Sequence, residues 1–128
     1  MSYYFSKTLG MSFDEAIGHA TEALKQEGFG VLTEIDVKAT MKEKLGADFW
    51  NYRILGTCNP PFAHRALLAE DKIGTMLPWN VIVQEKPEGG VEVSAVDPLA
   101  SMQAIENAEL AGIALEVQAK LKRVVDSL

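Results

Sequence analysis

Hydrophobic and polar positions along this chain repeat with two different periods, and the switches between them mark out its elements. Tyr3, Phe5 and Leu9 fall on one side of an extended run over about residues 2 to 9, which predicts a first strand. From Phe13 the spacing becomes helical, with Phe13, Ala16, Ile17, Ala20 and Leu24 on one stripe. Ser12 precedes that stripe and Glu15 follows at the spacing of a capping box, while Gly28 supplies a left-handed stop. Alternation returns between Phe29 and Val37: Phe29, Val31, Thr33, Ile35 and Val37 share one face, and Gly30, Leu32, Glu34 and Asp36 the other.

The next elements follow the same logic. Thr40 to Leu45 reads as a short helix, with Thr40 and Glu43 as a second capping box and Gly46 as its end. A third strand over Phe49 to Cys58 puts Trp50, Tyr52, Ile54, Gly56 and Cys58 on one side. Asn59 then reads as a helix cap, with Pro60 at the first helical position, where its missing N–H costs nothing. Val81 to Glu85 and Val91 to Val96 predict a hairpin closed by Lys86-Pro87-Glu88-Gly89-Gly90. Asp97-Pro98 opens a further helical segment, broken near Asn107. The last helix aligns Leu110, Ala114, Val117, Leu121, Val124 and Leu128, with Glu116 and Lys120 placed for an ion pair. The expected architecture is one α+β domain over residues 1–128, a mainly antiparallel sheet covered by helices, with a long amphipathic C-terminal helix.

Composition narrows the partners. A chain of 128 residues with 48% hydrophobic residues can build a core without disulfides or metal. Its net charge of −6, with no basic stripe, argues against nucleic acid and against an anionic membrane surface. No run approaches the ~18 apolar residues of a membrane span, and residues 1–7 lack the charged-then-apolar pattern of a signal peptide. The single cysteine, Cys58, excludes an intrachain disulfide and fits a reducing compartment, so the expected location is cytoplasmic. GxGxxG, P-loop, GxSxG and HExxH motifs are absent, and neither His19 nor His64 has a histidine partner at ligand spacing. The sequence therefore names no catalytic set, no metal and no cofactor.

Candidate chemistry concentrates in Gly56-Thr57-Cys58-Asn59-Pro60-Pro61 and Leu77-Pro78-Trp79-Asn80, each an asparagine and a proline at the edge of an apolar run. Irregular backbone at strand ends needs side-chain partners, which suggests a polar cleft formed by Cys58, Asn59, Trp79 and Asn80. Cys58 is either a thiol activated by the start of the following helix or a small buried apolar residue. Asn59 and Asn80 either hold their own loops or read a ligand. Trp79 is either a hydrophobic plug or the wall of a pocket. Glu34 and Asp36, two residues apart on a strand, could work as an acid/base pair or bind Arg53. Three functions follow, in this order: a small-ligand-binding or regulatory homodimer, a thiol-dependent redox or metal-binding protein using Cys58, and a structural or partner-scaffolding protein.

Several of these motifs together resemble one prokaryotic family. They are Gly28-Phe29-Gly30-Val31-Leu32-Thr33-Glu34-Ile35-Asp36-Val37, Lys42-Glu43-Lys44-Leu45-Gly46, Tyr52-Arg53-Ile54-Leu55-Gly56-Thr57-Cys58-Asn59-Pro60, Ile73-Gly74 with Leu77-Pro78, Asn80-Val81 and Asp97-Pro98. The family is domain of unknown function 302, and the likeness spans almost the whole chain. It implies an α+β fold similar to the TATA-binding-protein-like class and a homodimer, and it implies no established activity. Family members often carry a cysteine where this chain has Trp79, so a dithiol within one subunit is closed to this protein.

Overall fold

The computed structural model of the chain describes residues 2–128. Strands β1 (Tyr4–Leu9), β2 (Gly30–Asp36), β3 (Tyr52–Cys58), β4 (Trp79–Glu85) and β5 (Val91–Val96) form one sheet in the order β1-β5-β4-β3-β2. Every neighbouring pair is antiparallel. Helices α1 (Phe13–Gln26), α2 (Val37–Leu45) and α3 (Pro60–Ala69), the last followed by a 3-10 segment at Asp71–Met76, connect β1 to β4 in turn, and the single turn α4 (Pro98–Ser101) and the long α5 (Ala108–Asp126) follow β5.

The register explains the layering. Leu55, Val81 and Ala95 lie side by side across the three central strands, and all three are fully buried. Val83 and Val93 repeat the pattern one step along. Against this face pack Ala16, Ala20 and Leu24 of α1 and Leu110, Ile113, Ala114, Val117, Leu121, Val124 and Val125 of α5. Residues between them in sequence point the other way, where Asn80 is exposed and Ile54, Ile82 and Gln84 are half-buried. Antiparallel sheets tolerate one uncovered face because water can solvate it.

The expected capping box forms: Ser12 Oγ accepts from the Glu15 N–H at 3.2 Å, and the Ser12 N–H donates to Glu15 Oε1 at 3.3 Å. Asn107 breaks the chain as expected by capping α5, its Oδ1 accepting from Glu109 and Leu110. Other expectations need correction. Tyr3 is 69% exposed and precedes β1, so it is not in line with Phe5 and Leu9. The even alternation from Phe29 to Val37 is broken by a bulge between Val31 and Thr33: Val31 faces Thr57, while Thr33 faces Gly56 in the row that carries Asn80. An extra residue turns every later side chain to the other face, which a simple period-2 reading misses. The second helix starts at Val37, because Asp36 rather than Thr40 caps it: Asp36 Oδ1 accepts from the Ala39 N–H at 2.9 Å. Glu116 reaches Arg65 at 3.4 Å and Lys120 reaches Glu27 at 3.9 Å, so the helix pair gives way to contacts between helices.

Gly56 is required by close approach rather than by its backbone angles. A Cβ there would collide with Thr33 Oγ1 and lie 2.8 Å from Pro78 Cγ. Gly56→Ala is expected to destabilise the protein by about 1–3 kcal/mol. Adding Thr33→Ala should restore part of that loss, because only the Pro78 clash remains. Urea unfolding of the single and double variants checks both expectations.

Candidate functional site

The Gly56–Pro61 and Leu77–Asn80 segments lie side by side. Thr57 at the end of β3 pairs with Trp79 at the start of β4, and Thr57 Oγ1 donates to the Trp79 carbonyl at 2.6 Å. The Leu77–Pro78 peptide preceding Trp79 is cis. Their side chains nevertheless separate into different environments.

Cys58 and Trp79 meet on the wall of one apolar pocket of about 360 Å³, shared with Leu32, Ala63, Leu67 and Pro78. Trp79 is 2% exposed and packs edge-on to Phe29 at 6.3 Å, so it fills space as a plug. Its indole N–H is buried without an acceptor. Cys58 is half-buried. No histidine or carboxylate lines the pocket, and His64 is exposed on α3.

Asn59 turns away from both. It is buried and occupies the cap position of α3, but its side chain makes no capping bond. Pro61 at the second helical position removes one of the two N–H groups a cap serves, and the carboxamide binds elsewhere. Its Nδ2 donates to the Glu27 carbonyl at 3.2 Å, tying the end of α1 to the β3–α3 corner. Gly28, at φ 88°, makes room for it, since a Cβ there would lie 3.1 Å from Asn59 Nδ2.

Arg53 forms the ion-paired alternative expected for Glu34 and Asp36. Its guanidinium reaches Glu34 Oε1 at 2.5 Å and Asp36 Oδ2 at 3.5 Å and lies over the Phe13 ring at 5.7 Å. Asp36 is also committed to capping α2. This cluster sits at the opposite end of β3 from Cys58, so it is not part of the same site. Among the described residues no group of three or more His, Cys, Asp or Glu side chains could hold a metal ion.

Asn80 follows Trp79 on a strand and therefore points to the opposite, uncovered face of the sheet. There it lines a cleft of about 440 Å³ with Tyr4, Tyr52, Gln84, Glu92 and Ser94. Tyr3 and Tyr4 stand edge to face at one end, with centroids 5.0 Å apart. Trp50 Nε1 donates to Gln84 Oε1 at 3.1 Å, and Gln84 Nε2 donates to Glu92 Oε1 at 3.2 Å. Lys86 Nζ stands 3.3 Å from Glu92 Oε2. The Tyr52 phenol is pushed above its ordinary value by burial first, then by the neighbouring Tyr3 and Glu92. Trp79 and Asn80 belong to strand β4 itself, so Asn80 lines this cleft and not the pocket of Cys58 and Trp79. The signal was present in the polar positions of β4 and β5, where Asn80, Gln84, Glu92 and Ser94 alternate with buried valines and alanine.

The raised Tyr52 value has a defined consequence for stability. Above about pH 10 the unfolded tyrosine loses its proton while the folded one keeps it, so stability falls with rising pH until the folded phenol also ionises. Tyr52→Phe should lose less stability than the parent between pH 9 and 11, as read by denaturant midpoints, with no difference near pH 7.

Comparison with known proteins places the chain. Residues 5–128 match the family model for "Domain of unknown function DUF302". The fold is similar to a crystal structure of an uncharacterised conserved DUF302 protein from Bacillus stearothermophilus, with a TM-score of 0.90, 29% sequence identity and 98% of each chain covered. No curated protein matches. No helix among the described residues is long and apolar enough to cross a membrane. The chain belongs to the DUF302 family, as its ordered motifs from Gly28 to Pro98 imply.

Proposed function

We propose that the protein is a small-ligand-binding module that holds an organic molecule in the cleft on the uncovered sheet face. The observation that carries this reading is the Asn80 carboxamide, which is exposed in the cleft and makes no hydrogen bond among the described residues. Aromatic walls with a few convergent polar groups are the usual composition of ligand pockets. The second reading, a redox or metal role for Cys58, has less support. Its pocket carries no general base, and the chain has no second thiol for an internal disulfide.

The ligand-binding unit in this reading is a cytoplasmic homodimer. Support for assembly comes from the β2 edge of the sheet, where Leu32, Ile35 and the nearby Leu45 of α2 expose large apolar side chains. Exposed edges and apolar patches of this kind favour association with a second copy. Light scattering should give a mass near twice 14.0 kDa at micromolar concentration, and a clean monomer contradicts the assembly.

Native mass spectrometry of protein purified from its own host tests the binding claim. The expected spectrum shows a stoichiometric organic adduct that Asn80→Leu loses. An adduct retained by Asn80→Leu, or a bare chain throughout, contradicts it.

A further inference from the structure

We infer that the molecule taken by the sheet-face cleft is an uncharged planar heteroaromatic ring, whose edge offers a hydrogen-bond donor beside an acceptor to Asn80. This rests on the binding reading above and adds the ligand's chemical class.

The argument begins with charge. Glu92 is the carboxylate of the cleft and Lys86 its ammonium, and they face each other at 3.3 Å. The other Glu92 oxygen accepts from Gln84. A ligand anion would therefore meet no free cation and would lie near a carboxylate, and a ligand cation would have to compete with Lys86. An uncharged molecule meets neither cost.

Hydrogen-bonding capacity gives the second constraint. Gln84 spends its oxygen on Trp50 and its nitrogen on Glu92, so it has little left for a ligand. Asn80 retains both an acceptor and a donor side by side. A carboxamide pairs in register with a flat edge that presents the complementary donor and acceptor, the geometry by which such side chains read a heterocyclic base. The space over Gly56, which faces Asn80 from β3, is filled by the Thr33 and Pro78 side chains, so the open approach to the carboxamide is from the cleft side, where Val96 gives an apolar wall.

Shape is the third constraint. Tyr3 and Tyr4 meet at 76° and form a corner of two ring planes, while Tyr52 closes the cleft from β3. Aromatic rings lining a cleft favour flat molecules that can stack on them or meet their edges. The Tyr52 phenol stays protonated at neutral pH and can donate to a ring nitrogen or carbonyl.

Nicotinamide and nicotinate separate the ideas, since they share a ring and differ in charge and edge chemistry. Each is titrated into isotope-labelled protein and followed by amide NMR. Nicotinamide should shift the Asn80 side-chain amide and the backbone amides of β4 and β5, and nicotinate should bind roughly tenfold more weakly or worse. Asn80→Leu, at an exposed position and with its native spectrum otherwise retained, should weaken nicotinamide by a similar factor. Equal shifts from both compounds at these amides overturn the ligand class and leave a cleft that binds. Absence of shifts from both, with a native adduct still lost in Asn80→Leu, also overturns the class. Loss of that adduct evidence as well removes the cleft itself.

Discussion

The row formed by Leu55, Val81 and Ala95 is the constraint from which the rest of the molecule follows. These residues face one another across β3, β4 and β5 and are sealed from water by α1 and α5. Burying apolar side chains is the main favourable term in folding, roughly 1.5–3 kcal/mol for each large aliphatic residue. A strand alternates with period two, so fixing this row inward fixes its neighbours outward. A slip of one residue would carry Val81 into water and Asn80 into the core, and that cost locks the register. The same alignment that builds the core thereby sets Asn80, Gln84, Glu92 and Ser94 together on the far face.

This coupling explains why the two segments flagged in the sequence contribute so differently. Trp79 and Asn80 are adjacent in the chain and belong to opposite sides of the sheet. The indole serves packing against Phe29 and carries an unpaired N–H into the interior, a cost of about 1–3 kcal/mol offset by the volume it fills. Asn59 serves the joint between α1 and β3, and Arg53 with Glu34 and Asp36 serves the β2–β3 edge. Polar residues near a strand end have several structural employments open to them. Here most are taken, and of the four asparagines Asn80 is the one whose carboxamide makes no hydrogen bond to another described residue.

Local signals were legible wherever they act over a few residues. The Ser12–Glu15 box, the left-handed Gly46, the β4–β5 hairpin and the break at Asn107 all depend on short-range chemistry, and each forms as the sequence implies. The features that escaped depend on partners distant in the chain. The bulge at Leu32 is defined only by the register against β3. The hydrogen bond from Asn59 ends on Glu27, and the Lys120 ion pair ends on the same residue, so neither follows from local spacing. The cleft residues Tyr3, Tyr4 and Tyr52 come from opposite parts of the sequence and meet only once β1, β5, β4 and β3 are ordered side by side.

In the proposed reading, recognition falls on the face that the helices leave open, and the Cys58 pocket serves packing. Crystallography of protein carrying whatever it acquires in its own host addresses this most directly. Electron density for a bound molecule should lie over Asn80 and within contact of the Tyr52 ring. Density seated instead against Cys58 and Trp79 would contradict the account.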